Sequence, residues 1–97
     1  MTRTKNIAIL GSTGSIGQSA LEVVRSVPGF NVVALSGCKN LELLVKQAKE
    51  VSPQYLVAAD SEVAKGFNFS GLPETQVLRG PDELDRIAGL PEVDIVL

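Results

Sequence analysis

Apolar residues in this chain follow two alternating patterns. Short apolar runs bounded by Gly, Pro, Asn or Asp are typical of buried strands, and apolar residues spaced three or four positions apart are typical of helices. The predicted strands cover residues 6–10, 31–35, 55–59 and 76–78, and a fifth begins at residue 93. The predicted helices cover residues 15–27, 41–51, 61–67 and 81–90.

Turn and capping residues support these boundaries. Pro28 and Gly29 end the first helix, and Ser52-Pro53 ends the second. Asn40 has the side chain of an N-cap for the second helix, and Pro81 lies near the first turn of the last one. Residues 37–40 between the second strand and the second helix are predicted to form a loop.

The regular alternation of strand and helix predicts an α/β fold: a Rossmann-like, doubly wound parallel sheet with helices on both faces and right-handed crossovers. We expect the first strand to be central, between the second strand and the strand at residues 93–97. The short strand near Val77 should lie beside the third strand. A length of 97 residues allows one domain at most.

A glycine-rich segment, Gly11–Gly17, joins the first strand directly to the first helix. In this context such a turn binds phosphate, because the first helical N–H groups lack partners and the helix dipole is positive there. Gly11 would make the tight turn, Gly14 would let the backbone approach pyrophosphate, and Gly17 would let the helix pack close to the sheet. Hydroxyl groups within reach of the same oxygens come from Ser12, Thr13 and Ser15.

The end of the second strand carries a further nucleotide signal. In a dinucleotide fold, an acid at this point accepts the ribose 2′-hydroxyl of NADH, whereas a basic residue accommodates the 2′-phosphate of NADPH. Here Lys39 supplies positive charge, Ser36 and Asn40 supply hydrogen-bonding groups, and no acid comes before Glu42. This pattern favours NADPH.

Composition removes several other classes of function. The net charge is −2 and only 4% of residues are aromatic, so neither a basic face nor a base-stacking surface for nucleic acid is predicted. No apolar run reaches membrane-spanning length, and we expect no signal peptide.

The chain has no histidine and a single cysteine, Cys38, so we predict neither a zinc site nor an internal disulfide. A lone cysteine fits a cytoplasmic setting. We interpret Asp82, Glu83 and Asp85 as favourable charges at a helix N-terminus and not as metal ligands.

Several segments together resemble the N-terminus of the 1-deoxy-D-xylulose 5-phosphate reductoisomerase family. The resemblance covers most of the chain, is strongest over about the first 60 residues, and is carried by Leu10–Gly17, Leu21–Arg25, Val32–Leu35, Lys39-Asn40 and Ser52–Tyr55. It implies an NADPH-dependent oxidoreductase of non-mevalonate isoprenoid biosynthesis. Such an enzyme rearranges a phosphorylated ketose and reduces the resulting aldehyde to 2-C-methyl-D-erythritol 4-phosphate. It also implies a magnesium or manganese ion in the full-length enzyme, and a homodimer.

The resemblance implies which residues bind the cofactor. Thr13, Gly14, Ser15 and Ile16 would contact the cofactor phosphates, beside the turn residue Gly11. The family's second loop commonly reads Ala-Gly-Lys-Asn and contacts the adenosine end; its counterpart here is Gly37-Cys38-Lys39-Asn40. Cysteine in place of glycine removes the freedom to adopt a positive φ at position 38.

The chain ends within the apolar run 93–97. We therefore expect residues 1–97 to be the N-terminal part of an NADPH-binding domain, with the catalytic and C-terminal domains outside this chain. The family's metal-binding and substrate-phosphate residues would lie there too, so we expect no catalytic or metal-binding residue here. Alone, the chain should bind NADPH weakly at best and catalyse nothing.

The glycine turn by itself leaves other readings open. Aspartate-semialdehyde dehydrogenases and short-chain reductases are enzymatic alternatives, although the Ser-Thr-Gly-Ser-Ile sequence and the Lys-Asn pair argue against them. A coenzyme-A-binding domain, as in succinyl-CoA ligase, and a binding module that senses the ratio of NADPH to NADP belong to different classes. Fold alone excludes neither, because one fold hosts many functions.

Overall fold

The computed structural model describes residues 4–97. Strands and helices alternate along the whole of this range. Their order is β1 (Lys5–Ile9), α1 (Ser15–Ser26), β2 (Phe30–Gly37), α2 (Leu41–Val51), β3 (Tyr55–Ala58), α3 (Ser61–Lys65), β4 (Gln76–Arg79), α4 (Asp82–Ala88) and β5 (Ile95–Val96).

The five strands form one parallel sheet in the order β4-β3-β2-β1-β5. Ile9 of β1 pairs with Leu35 of β2, and Ala8 of β1 pairs with Val96 of β5, with both neighbours parallel to β1. The central position of β1 and the placement of β4 beside β3 are therefore confirmed. The chain winds outward from β1 to β4 and then crosses back to β5, so the winding direction reverses between β1 and β5.

Helices cover both faces of the sheet, as expected for a doubly wound fold. On one face, Ile9 and Leu35 pack in a single cluster with buried side chains of α1, α2 and α3, among them Leu21, Leu44 and Ala64. On the other face, the small strand residues Ala8 and Ala34 and the larger Val57 pack with Leu78 and with Ile87 of α4. This alternation along the strands follows from their two-residue period.

Some element boundaries differ from the sequence-based prediction. β2 extends to Gly37, which had been expected in the following loop, because Gly37 pairs with Ala58 and its carbonyl accepts from the Ala59 N–H at 2.9 Å. α3 ends at Lys65 and not at residue 67. β5 is limited to Ile95–Val96.

Two helix starts bear on the site. The predicted cap of α2 is confirmed: Asn40 Oδ1 accepts from the Leu43 N–H at 3.2 Å. Asp60 caps α3 in the same way through Oδ1, which accepts from the N–H groups of Glu62 and Val63. Within residues 4–97, no helix has the length and apolar character needed to cross a bilayer.

Candidate dinucleotide-binding site

The site lies where the winding of the sheet reverses, at the carboxyl ends of β1 and β5. Open α/β sheets bind ligands in the crevice at this point. Here a groove of about 260 Å³ is lined by the glycine turn and by Ile9, Ala20 and Leu97. A larger groove of about 490 Å³ lies between α1 and α2, lined by Arg25 and Glu50, which form an ion pair at 2.9 Å. We take the smaller groove as the site because only it combines the strand ends with a helix N-terminus.

The turn leaves β1 through a conformation that favours glycine. Gly11 has φ +72°, in the left-handed region that L side chains rarely adopt. Its N–H donates to Ser36 Oγ at 2.8 Å, and the Ser12 N–H donates to the Ser36 carbonyl at 2.8 Å. The end of β2 thus fixes the backbone of the turn, and Gly11 makes the tight turn that the sequence predicts.

Gly17 lets α1 approach the turn closely. A Cβ atom at this position would lie 2.1 Å from the Gly11 carbonyl oxygen and 2.7 Å from Ser12 Cα. Both are backbone atoms that cannot rotate away. The close approach predicted at Gly17 is therefore present, and the nearest atoms belong to the turn that leaves the sheet.

The N-terminus of α1 has the features of an anion-binding position. Its cap residue is Gly14, no side chain caps the helix, and its first turn contains no acid. The first N–H groups of a helix then depend on solvent or on a ligand. Ser15 and Ile16 are exposed there, with Ile16 at 86% exposure.

The sequence-based expectation was wrong for Ser12. Its side chain is fully buried, and its hydroxyl donates to Gln47 Oε1 at 2.8 Å and lies 3.3 Å from the Ser36 carbonyl. Gln47 Nε2 in turn donates to the Ser12 carbonyl at 2.8 Å. The hydroxyl is therefore committed to α2 and does not face a phosphate, because the turn folds inward at this residue.

Gln47 is a site residue that sequence reasoning missed. It is 96% buried on α2, on the same side as Leu44 and Ala48. The sequence signal for this role was a polar residue among apolar positions at helical spacing, because a buried polar side chain needs hydrogen-bond partners. Its two hydrogen bonds attach α2 to the middle of the glycine turn.

Gln47→Leu should therefore destabilise the protein. It leaves the buried Ser12 carbonyl and hydroxyl without this partner, which costs roughly 1–3 kcal/mol per group. We expect a loss of about 2 kcal/mol and a fall in Tm of roughly 8–16 °C for a domain of this size. Thermal unfolding followed by circular dichroism measures the change.

Gln18→Leu is the matched control, because Gln18 Nε2 also donates to a turn carbonyl, that of Thr13 at 2.9 Å, but is exposed. Equal shifts in the two variants would contradict the assignment.

The second part of the site is the end of β2 at Gly37 and the loop that follows it, residues 38–40. Gly37 is buried, and a Cβ atom there would lie 3.1 Å from Thr13 Oγ1, so glycine at this position makes room for Thr13. The Thr13 side chain therefore lies between the glycine turn and the end of β2. Cys38 is an exposed free thiol and does not have a positive φ, so the cysteine fits this loop without strain.

Lys39 has an acidic partner that sequence reasoning missed. Lys39 Nζ lies 2.6 Å from Asp60 Oδ2, in an ion pair at the carboxyl edge of the sheet. This hydrogen bond is the main cause that raises the pKa of Lys39 and lowers the pKa of Asp60, and the Val63 N–H lowers the latter further. Both groups are therefore ionised at neutral pH. The dinucleotide-fold pattern identifies an acid only in the segment after β2, and Asp60 follows β3. Because β2 and β3 are parallel neighbours, both segments lie at the same edge of the sheet.

The structure thus brings the two predicted halves of the site together at one edge of the sheet. The first half comprises Gly11, Thr13 and Gly14 in the turn with Ser15 and Ile16 at the start of α1; the second comprises Gly37 at the end of β2 and the loop residues Cys38, Lys39 and Asn40. Asn40 lies in this loop, but its Oδ1 is occupied by the cap of α2. Among residues 4–97, no group of three or more His, Cys, Asp or Glu side chains is placed to hold a metal ion.

A parallel sheet with its glycine turn at the point of reversal defines a Rossmann-type nucleotide-binding fold. The sequence model of one family, 1-deoxy-D-xylulose 5-phosphate reductoisomerase, matches residues 7–97. The chain belongs to this family.

Relatives and solved structures agree with this membership. The chain is 42% identical over 102 residues to the reductoisomerase of Nitrosomonas europaea, covering all of the chain and 24% of that relative. It is 45% identical over 95 residues to the one of Agathobacter rectalis, covering 96% of the chain and 25% of the relative. The chain therefore spans about a quarter of the length of the curated relatives it matches.

Two solved structures show the same fold. A DOX-P reductoisomerase in complex with NADPH, fosmidomycin and magnesium superimposes with a TM-score of 0.81 at 32% identity, over 95% of this chain and 23% of that one. The reductoisomerase of Zymomonas mobilis in complex with NADPH superimposes with a TM-score of 0.78 at 25% identity, over 93% of this chain and 24% of that one.

Proposed function

We propose that this chain is the NADPH-binding N-terminal segment of a 1-deoxy-D-xylulose 5-phosphate reductoisomerase. The observation that carries the proposal is the helix N-terminus of α1. It has no side-chain cap and no acid in its first turn, and it opens at the point where the sheet reverses. A pyrophosphate meets favourable N–H groups and a favourable dipole in such a position.

The residues of the site divide into two roles. Thr13, Gly14, Ser15 and Ile16 would receive the pyrophosphate, and Gly11 would set the direction of the turn. Gly37, Cys38, Lys39 and Asn40 would receive the adenosine end, with the Lys39 ammonium directed to the 2′-phosphate. The absence of a side chain at Gly14 supports this division, because it leaves the helix N-terminus open.

The remainder of the proposal concerns the protein to which such a segment belongs. That protein would convert 1-deoxy-D-xylulose 5-phosphate into 2-C-methyl-D-erythritol 4-phosphate, with NADPH supplying the hydride. The described residues do not fit a magnesium or manganese site, so we place the metal, the substrate-phosphate residues and the catalytic residues in domains outside residues 1–97. We also propose a homodimer in the cytoplasm that binds neither nucleic acid nor membrane. The exposed free thiol of Cys38 fits that reducing compartment.

The proposal is tested by nucleotide titration of the ¹⁵N-labelled chain, a method that detects weak binding. NADPH should shift the amide signals of residues 11–17 and 37–40, whereas coenzyme A should not shift them. Shifts with coenzyme A and none with NADPH would overturn the proposal in favour of a coenzyme-A-binding domain. If NADPH shifted only the amide signals of α4, the cofactor would bind elsewhere and the glycine turn would not be its site.

Lys39→Ala tests the proposed reading of the 2′-phosphate. In the full-length protein the variant should bind NADPH about tenfold more weakly, which corresponds to about 1.4 kcal/mol, and should bind NADH almost as the unmodified protein does. The reason is that only NADPH carries a phosphate on the 2′ position of the adenosine ribose, where Lys39 would contact it. Titrations at two salt concentrations measure this, since salt screens an exposed charge pair. Equal losses for both nucleotides would mean that Lys39 supports the loop, and no loss for either would make it a solvated surface lysine.

A further inference from the structure

The Lys39–Asp60 pair joins the ends of two adjacent parallel strands. Gly37 ends β2 and pairs with Ala58, which ends β3. Lys39 lies two residues beyond the first strand end and Asp60 two residues beyond the second, and their charged atoms lie 2.6 Å apart. The position at which a Rossmann fold reads the ribose 2′ group therefore contains one acid and one base, not a base alone.

The two partners differ in freedom. Asp60 is fixed, because Oδ1 accepts from the Glu62 N–H at 3.1 Å and from the Val63 N–H at 3.2 Å while Oδ2 faces Lys39. Its side chain is 26% exposed, whereas that of Lys39 is 78% exposed on a long flexible stem. An arriving anion can therefore draw the ammonium away, but it cannot displace the carboxylate.

We propose that Asp60 is a specificity-determining residue that competes with the cofactor 2′-phosphate for the Lys39 ammonium. This inference rests on the proposed function of the site. The phosphate must share Lys39 with a fixed carboxylate, or take it from that carboxylate. The pair thus reduces the advantage that NADPH holds over NADH.

The charges give the direction of the effect. A phosphate monoester carries about −1.5 to −2 at neutral pH and Asp60 carries −1, so both anions compete for the single positive charge of the Lys39 ammonium. The 2′-hydroxyl of NADH is neutral and leaves the pair intact. Neutralising Asp60 should therefore strengthen the binding of ligands with a 2′-phosphate and should change the binding of others little.

Asp60→Asn is the decisive variant, because asparagine keeps the side-chain oxygen that caps α3 and removes only the charge. The probes are adenosine 2′,5′-bisphosphate and adenosine 5′-monophosphate, which differ only in the 2′-phosphate. They are titrated into the full-length protein at low salt, and calorimetry measures both dissociation constants. We expect the dissociation constant of the bisphosphate to fall about threefold and that of the monophosphate to stay within experimental error.

Two further variants separate the causes. Glu62→Gln removes an acid on the same helix that pairs with Lys65 and not with Lys39, so it should leave both probes unchanged. In a Lys39→Ala background, Asp60→Asn should lose most of its effect, because no ammonium is left to compete for. A gain of full size in that background would show direct repulsion and would overturn the competition.

The outcomes distinguish this inference from the proposed function. If neither probe binds the unmodified full-length protein, the proposed function fails and the inference fails with it. If both probes bind but Asp60→Asn binds the bisphosphate equally well or more weakly, only the competition is overturned. An equal gain from Glu62→Gln would assign the effect to net charge and would also overturn it.

Discussion

Gly17→Ala should destabilise the fold more than any other exchange of glycine for alanine in this chain. The added methyl group would lie 2.1 Å from the Gly11 carbonyl oxygen and 2.8 Å from the Gly11 carbonyl carbon, and neither atom can move without the backbone. α1 must therefore shift away from the turn. Overpacking costs about 1–3 kcal/mol and occasionally more, and a contact this short with a backbone atom lies at the upper end, about 3 kcal/mol. This cost exceeds the gain of about 1 kcal/mol that alanine brings in a helix interior.

We expect a net loss of about 2 kcal/mol in the free energy of unfolding, or roughly 8–16 °C in Tm. The shift of α1 should also disturb the hydrogen bonds that Ser12 makes with Ser36 and Gln47. Gly66→Ala is the matched control. No atom lies within 4 Å of the added Cβ, and φ is −101°, so its Tm should stay the same or rise slightly. If Gly17→Ala were as stable as that control, the close packing of α1 on the turn would be wrong.

The fold could be predicted from the sequence because the local signals for the type and order of the strands and helices agree with the final structure. The apolar runs, Pro28-Gly29 and the Asn40 cap define elements that only a parallel sheet with crossovers accommodates. The limits were at strand ends. Gly37 was expected in a loop, since glycine weakens strands, but its pairing with Ala58 extends β2. Such pairing depends on a neighbouring strand that local sequence does not identify.

The candidate site was predicted less completely, and the reason is the same. The glycine turn and the Lys39 loop are contiguous in sequence, and the context of each could be read directly. Gln47 and Asp60 act across 35 and 21 residues of chain, through contacts with Ser12 and Lys39. A single sequence shows that a buried glutamine needs partners, but it does not show which groups the topology places beside it.

Gly14→Val should remove cofactor binding and leave the fold intact. Gly14 has φ −74° and ψ 167°, extended values that valine adopts readily, and an added Cβ atom would lie in ordinary contact at 3.5 Å from the Gly11 carbonyl oxygen. Valine would nevertheless place methyl groups at the N-terminus of α1, where we propose that the pyrophosphate lies. In the full-length protein we expect the affinity for NADPH to fall at least 100-fold, which corresponds to about 2.7 kcal/mol, with Tm almost unchanged.

The series from glycine to alanine to valine makes this prediction quantitative. Alanine adds one carbon atom and should weaken NADPH binding by an intermediate factor, because it intrudes less on the phosphate position. Adenosine 2′-monophosphate lacks the pyrophosphate and should bind all three proteins alike, through the loop that contains Lys39. Titrations followed by amide shifts measure both ligands, and circular dichroism checks the fold. Unchanged NADPH affinity in a folded Gly14→Val protein would move the pyrophosphate away from α1. An equal loss of both ligands would instead indicate that valine at position 14 disturbs the whole edge of the sheet.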